Sequence, residues 1–538
     1  MSPKNQPHRE QFKLLIYAQN AVIVRHQKCP VSLTALDRDR RRFLRYGLGL
    51  AGGGALSLGL ADLLDPGIFG TVTPPTNSTS TATTGTSPTS STNSQYSTLP
   101  DYQDFLSWLH SVSGKYSGKS LNISLEAEFG PYAAQLRNGD FERASGIKAG
   151  PYDIKPYALQ LQTVSLMFST KSSAYDAFSL DVENLGVFPG RSFSPIELAQ
   201  RYPELTYPNI SFDDFNRNCW GHIATYPPDL TGGPGGNTAS TVQVIPFDTP
   251  TMVLFYRTDV YDQLQLTLPK TWDDHFANVK AINKAGLVSA PFGTVSMAGP
   301  DVSIIYEYQA HLSSFGGVLW EFDGRTIIPA MNNDKAIAAL ENFVRFEPYS
   351  DPGSFYFTWD DVFNSISHRS AASGLLWNGY SQWMNDTQRS LVPGLIGYTQ
   401  NPSGPNGSFH PYAGSGLGVS RYTKNPEMAW LWTQWATAKG TQEAMVLDQY
   451  HVFPTRASVM TSPEVASKIG TTSLGVANLT SQVWKANAIT TLVGFPLWLQ
   501  ASTILASALN TAWTGAVKPK DALASAQTKL EQIGKLSF

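Results

Sequence analysis

Ile245-Pro246-Phe247-Asp248-Thr249-Pro250-Thr251-Met252-Val253-Leu254-Phe255-Tyr256-Arg257 is the stretch on which the reading of this chain turns. The run from Met252 to Tyr256 is apolar without interruption, long enough for a buried strand and too short for a core helix. Proline fixes φ and has no N–H to donate, so Pro246 and Pro250 rule out helix immediately before that strand. The spacing therefore predicts an extended, non-helical crossing segment that feeds a buried strand.

Outward from it, three helices carry clear start and stop signals. Thr271 offers an N-cap with Asp274 three residues on, and Trp272, Phe276, Val279 and Ile282 then share a face as far as Gly286. Asn333 precedes a second helix, with Ile337, Leu340 and Val344 spaced for burial. Asn425-Pro426 opens a third, in which Met428, Trp432 and Trp435 share a face and Lys439-Gly440 is expected to close it. Strand-like runs at Asn122 to Ala127 and Phe178-Ser179-Leu180 alternate with such helices, and no repeat of 20 to 50 residues occurs, which predicts an α/β architecture.

Composition bounds the function. The 538 residues are 42% hydrophobic, 12% aromatic and only 15% charged, with 44 Gly and 35 Pro, which excludes a coiled coil and a wholly disordered chain. Residues 1–61 hold ten Lys/Arg against three Asp/Glu, so the net charge of −3 is the sum of +7 there and −10 over the rest. An acidic body disfavours nucleic-acid binding, which needs Lys and Arg to displace phosphate counterions.

That basic segment reads as an address. Asp39-Arg40-Arg41-Arg42-Phe43-Leu44-Arg45 precedes sixteen uncharged residues, 46–61, rich in Leu, Gly and Ala. Charges followed by a short apolar stretch predict a secretory signal cleaved after Ala61 rather than a membrane span of about 20 apolar residues. The consecutive arginines resemble a twin-arginine signal, with Asp39 where Ser or Thr is usual. An uncleaved anchor is the rival reading. Residues 71–98 contain 18 Ser or Thr and no charge, which predicts a disordered tether over residues 62–100. Cys29 would leave with the signal, so Cys219 would remain as a single thiol without a disulfide.

Several short segments occur in a telling order: Phe141-Glu142-Arg143-Ala144-Ser145-Gly146, Tyr175-Asp176-Ala177-Phe178, the opening stretch through Arg257, Leu268-Pro269-Lys270-Thr271-Trp272, Gly316-Gly317-Val318-Leu319-Trp320, Trp377-Asn378-Gly379-Tyr380, Gly414-Ser415-Gly416-Leu417-Gly418-Val419 and Phe453-Pro454-Thr455-Arg456. Taken in register over residues 101–538, the chain resembles extracellular solute-binding proteins of ABC importers, of the sugar-binding class typified by maltose-binding protein. Tyr256-Arg257 replaces the commoner Tyr-Asn, and the loop 227–241 is unusually Gly-rich.

The resemblance implies a periplasmic-binding-protein-like α/β fold: two α/β lobes joined by crossing hinge strands, with a ligand cleft between them. Lobe 1 is expected at 101–247 and 402–454 and lobe 2 at 248–401 and 455–538, with crossings near 245–251, 398–405 and 452–455. It further implies an exported monomer, without a cofactor, that binds a carbohydrate and passes it to a membrane permease. Sugar binding asks for flat apolar faces against C–H groups and polar groups for paired hydroxyls, because a buried hydroxyl left unpaired costs about 1–3 kcal/mol.

Site candidates sit on the loops where such a family places its cleft. Glu128 and Tyr132 follow the first strand-like run, and Asp181 follows the second. Trp320, Trp377, Asn378 and Tyr380 combine aromatics with a short amide and flanking glycines, and Trp377 is the first choice for stacking. Gly414, Ser415 and Gly416 permit close backbone approach to a ligand, or a tight strand entry. Arg456 either forks to paired hydroxyls or anchors the hinge, and Trp498 is either a late cleft aromatic or core packing.

Two other classes share parts of this reading. A secreted glycan hydrolase needs two carboxylates at a set separation, and sequence offers pairs such as Glu126 with Glu128 or Asp360 with Asp361 without selecting one. The same fold also suits a polyamine, a phosphate ester or a peptide. No metal motif, G-x-S-x-G elbow or true phosphate loop is present, so no catalysis and no metal are expected.

Overall fold

The computed structural model describes residues 99–228, 242–447, 453–463, 465 and 475–538. The signal and the tether lie outside the described residues, as does most of the Gly-rich loop. No helix among the described residues is long and apolar enough to cross a membrane.

In chain order the strands are β1 (Ile123–Glu126), β2 (Asp153–Lys155), β3 (Ala177–Asp181), β4 (Ser192–Phe193), β5 (Ile245–Pro246), β6 (Met252–Arg257), β7 (Trp320–Asp323), β8 (Thr326–Pro329), β9 (Ser373–Trp377), β10 (Ile396–Thr399), β11 (His410–Pro411), β12 (Ser415–Ser420) and β13 (Ile489–Thr490). One sheet runs β2-β1-β3-β12-β4, with β5 also on β12; β1 is parallel to β2 and β3, whereas β12 is antiparallel to its neighbours. A second sheet, β10-β6-β9, is antiparallel throughout.

Each sheet carries its own core, which makes two lobes. Phe105, Leu125, Phe141, Trp430, Trp432 and Trp435 are buried together on the first sheet. Phe255, Ile305, Tyr308, Leu340, Leu376 and Trp498 are buried together on the second. The chain leaves the first sheet at β5 and enters the second at β6, so the proline-bounded stretch 247–251 is the crossing segment. It is pinned by Asn378, whose backbone N donates to Thr251 O at 2.9 Å and whose Oδ1 accepts from Thr251 N at 3.0 Å. The second crossing lies between β10 and β12.

The third crossing comes later than the expected 452–455. Thr455 O accepts from Asn216 N at 2.8 Å, Thr455 Oγ1 donates to Pro246 O at 2.9 Å, and Arg456 pairs with Phe215, all of which belong to the first lobe. The chain first meets the second core at Val476, in the helix Val476–Lys485, and joins it fully past β13 through the helices Trp498–Trp513 and Pro519–Gln532. The boundary is set by what Arg456 bonds to, which local sequence does not reveal.

Two of the expected helices form as read. Thr271 and Asp274 make a reciprocal capping box before Trp272–Ala285, and Asn333 caps Asp334–Val344 through Ala336 N. The third differs at its end. Pro426–Thr437 stops at Ala438, and Lys439 begins a further helix, Lys439–Leu447, instead of closing the first. Gly440 serves a close crossing: a Cβ there would stand 2.3 Å from Tyr102 N in the neighbouring helix. Cys219 is fully buried, and that burial pushes its thiol up to about 12.

Candidate functional site

Strand ends of both lobes converge on one cleft. Glu126 is the last residue of β1, Asp181 of β3 and Trp377 of β9, so all three side chains stand where strands of α/β sheets typically present ligands, beyond their carboxyl ends. The cleft encloses about 500 Å³, its open mouth included. Its walls are Glu126, Glu128, Phe129, Tyr157, Asp181 and Glu183 from the first lobe and Tyr306, Trp359, Trp377 and Tyr380 from the second.

The first lobe supplies acid. One carboxylate oxygen from each of Glu126, Glu128 and Asp181 lies within 4.8 Å of the others. Register explains the convergence: Asp181 pairs with Ser415 of β12, and Ser415 Oγ donates to Glu128 Oε2 at 2.6 Å. Glu183 sits at the start of the 3-10 turn Val182–Val187, where its carboxylate accepts from Tyr157 Oη and Tyr306 Oη, each at 3.0 Å. Asp248, on the crossing segment, accepts from Gly130 N at 2.9 Å.

Enclosure penalises the charged form of these groups. Burial, then the neighbouring Asp181 and Glu128 carboxylates, hold the Glu126 carboxyl well above the ordinary range. Glu128 is raised likewise, by burial and by Asp181 and Asp248. Burial pushes Asp181 up to about 6, and burial with the Asp181 charge pushes Glu183 up to about 8.

The second lobe supplies aromatic surface. Trp377 meets Tyr306 edge to face at 5.1 Å, and Tyr157 meets Trp359 in the same way at 5.6 Å across the cleft. Tyr380 stacks on Phe363 and donates its hydroxyl to Asp360, so it offers the cleft only part of its ring. Phe129 reaches from the first lobe to Tyr380 and Trp383, both at 5.2 Å. With the Tyr306 to Glu183 hydrogen bond, these contacts hold the lobes face to face.

Gly379 lies at the tightest of these approaches. A Cβ at this position would stand 2.2 Å from the Phe129 ring, whereas its φ of −57° is one that alanine adopts freely. Gly379→Ala is therefore expected to spare the fold and oppose lobe approach. Ligand affinity should fall about tenfold, equivalent to roughly 1.4 kcal/mol, with the unliganded melting temperature little changed. Titration calorimetry and a thermal melt check this; unchanged affinity would mean that the lobes do not need the Phe129 contact.

The structure brings four of the expected residues to the cleft wall: Glu128, Asp181, Trp377 and Tyr380. Ser415 reaches it at one remove, through Glu128. The others lie elsewhere. Trp320 and Trp498 pack on opposite sides of Phe495, at 5.3 and 5.8 Å, inside the second core. Asn378 is wholly buried and ties the crossing segment to Thr480 Oγ1 at 2.9 Å. Gly414 and Gly416 press on Asp248 O and Val244, where a Cβ would stand at 2.4 and 2.2 Å, so their smallness serves strand packing. Arg456 is buried among main-chain carbonyls of the first lobe. Tyr132 is 37% exposed, its ring 6.4 Å from Trp383. Glu126, Tyr157, Glu183, Tyr306 and Trp359 were not singled out as site residues by sequence; Glu126 alone had a signal, as half of an unselected acid pair.

With this geometry in place, four likenesses are informative. The family of bacterial extracellular solute-binding proteins matches residues 222–443. An erythritol/L-threitol-binding protein of Mycolicibacterium smegmatis is 25% identical over 244 residues, 42% of this chain and 47% of that protein, so the match spans about half of the relative's length. Among solved structures, an ABC transporter solute-binding protein of Agrobacterium radiobacter in complex with ribitol aligns with a TM-score of 0.65 and 20% identity, covering 78% of this chain and 99% of that one. The maltose-bound MalE3 of Thermotoga maritima aligns at 0.66 and 16%, covering 78% and 100%. The chain has the periplasmic-binding-protein-like fold of the sugar-binding solute-binding proteins.

Proposed function

We propose that this chain, which has the fold of proteins that bind solutes for ABC importers, is an exported binding protein that captures a small carbohydrate, a polyol or monosaccharide, between its lobes and presents it to a membrane permease. The observation that carries this reading is the composition of the cleft: carboxylates from one lobe face Tyr306, Trp359 and Trp377 from the other. Carboxylates accept paired hydroxyls, and aromatic faces cover the C–H surfaces of a ring or chain. Contacts of both lobes with one ligand couple capture to lobe closure, and the closed form is what a permease can read. The polyol and maltose ligands of the relatives support the same solute class. The basic and apolar residues 39–61 support export, by a signal that is cleaved or kept as an anchor.

A second reading has one observation in its favour. Several carboxyl groups meet at rigid strand ends, as glycoside hydrolysis requires, although their oxygens lie no more than 4.8 Å apart and retaining glycosidases hold theirs at about 5–5.5 Å. One experiment decides between the two. Calorimetry of the purified protein against polyols, monosaccharides and short oligosaccharides is expected to show saturable binding with the ligand recovered unchanged. Hydrolysis of any glycan in the panel would overturn the transport reading.

A further inference from the structure

The inference here rests on the cleft being the ligand site and concerns the charge of what enters it. Neutral sugars do not call for an excess of one sign, yet among the described residues no Lys, Arg or His lines this cleft while Glu126, Glu128, Asp181 and Glu183 do. Lys155, which neighbours Glu126 in the strand register, is engaged by Asp153 and Tyr175. Glu183 is satisfied by two tyrosine hydroxyls, and Glu128 accepts from Ser415. Glu126 is left differently. It lines the cleft, is only 6% exposed and shares a side-chain hydrogen bond with Asp181, while its buried Oε2 has no donor.

We propose that the ligand is a polyhydroxylated molecule carrying a protonated amine, an amino sugar or amino polyol, whose ammonium sits among Glu126, Glu128 and Asp181. A primary ammonium has three N–H donors in a tetrahedral array and no acceptor. Charge-assisted bonds of about 2.8 Å place three acceptor oxygens about 4.6 Å apart. The three carboxylate oxygens here lie no more than 4.8 Å from one another, close enough for one ammonium to reach all three. A calcium ion is a poorer fit, since it takes 6–8 oxygen ligands and the remaining wall is aromatic. Those aromatic walls favour an organic cation, because indole and phenol rings attract positive charge at their faces. The hydroxylated remainder of the ligand would meet Trp359, Trp377 and Tyr157.

An ammonium needs ionised carboxylates, so binding must release the protons that burial retains on them. Around Glu126 the groups that titrate or carry charge are Glu128, Asp181, Glu183, Asp248, Tyr157, Tyr306, Tyr380 and, across the strand, Lys155. Affinity for an amine should rise as pH increases from 5 to 7, whereas affinity for a neutral sugar should stay level or fall.

The test is calorimetry on the full chain with matched pairs: glucosamine with glucose and with N-acetylglucosamine, and glucamine with sorbitol, at pH 5 and pH 7, where both amines remain largely protonated. The amine is expected to bind at least tenfold more tightly than its neutral partner at pH 7, to lose most of that advantage at pH 5, and to lose it on N-acetylation. Glu126→Gln should bring each pair to near parity, with a thermal melt establishing that the variant is folded. Should the variant fail to fold, the matched pairs on the natural chain decide the matter alone. Equal or tighter binding of the neutral partner overturns the amine while leaving the carbohydrate reading intact. Putrescine binding as tightly as glucamine keeps the ammonium seat and overturns the hydroxylated frame. Calcium binding that depends on Glu126 overturns the proposal, and no binding by either member of any pair overturns the carbohydrate reading as well.

Discussion

Arg456→Ala should lower the unfolding free energy by about 3–5 kcal/mol, the range for removing one partner of a buried, hydrogen-bonded charge pair. The guanidinium is 1% exposed. Its Nε donates to Thr437 O at 2.6 Å, Nη2 to Ile210 O at 2.8 Å, and Nη1 to Ser211 O at 3.1 Å and Asp214 Oδ2 at 3.3 Å, while the plane lies 4.2 Å from the Phe215 ring. Three carbonyls, one at the end of the helix Pro426–Thr437 and two in the 210–211 loop, thus lose their donor at once, in a place water does not reach. Burial brings this group down to about 10, with Asp214 opposing the fall, so the guanidinium keeps its charge at neutral pH. Arg456→Lys should recover less than half of the loss, because a single ammonium does not fork to three oxygens in one plane. Ligand affinity of whatever folds should stay within about twofold of the natural protein, since Arg456 touches no cleft residue. Urea unfolding followed by tryptophan fluorescence measures the first quantity; a loss under about 1 kcal/mol would show that the loops find other donors.

The unliganded protein should be most stable in mild acid and lose several kcal/mol between about pH 4 and pH 8. Asp181 at about 6 and Glu183 at about 8 titrate above the roughly 4 expected of the unfolded chain. Between those limits the folded state holds more protons than the unfolded one, so the unfolding free energy declines as pH rises. The contribution is complete below the unfolded value and disappears as pH climbs through the folded values. With about 1.4 kcal/mol per unit, Asp181 alone accounts for on the order of 3 kcal/mol. Asp181→Asn should therefore be stabilising at pH 8, by on the order of 2–3 kcal/mol, Glu126→Gln should act in the same direction, and both should be near neutral at pH 4. Urea titrations across that range check the sign. A flat profile for the natural chain, or destabilised variants at pH 8, would show that the carboxylates are compensated in the empty cleft. Residues that weaken the empty protein and remain in place are the mark of a site built for something it is waiting to bind.

Much of the architecture was legible because it depends on local chemistry. Pro246 and Pro250 exclude helix wherever they fall, and Thr271 caps a helix whatever surrounds it. The site was legible only where strand ends announce it, as with Asp181 and Trp377. Tyr306 lies in the middle of the buried helix Val302–Ser314, and its sequence neighbours give no sign that its hydroxyl emerges between two lobes. Trp320 and Trp498 carry the opposite lesson. Each has the flanking turns of a cleft aromatic, yet both pack against Phe495, which is three residues from Trp498 but distant in the chain from Trp320. Cleft and core draw on the same residue types, and only long-range packing sorts one from the other.

Among the described residues Cys219 is the only cysteine, fully buried and with its thiol pushed up to about 12, so thiol-directed dyes will pass it by. Tyr132 stands at the rim of one lobe, facing Trp383 of the other. A fluorophore coupled to Tyr132→Cys would brighten or dim as that indole draws near or recedes. The molecule is thus a ready scaffold for an optical sensor of its own solute, requiring one substitution and no removal of background thiols from the folded body.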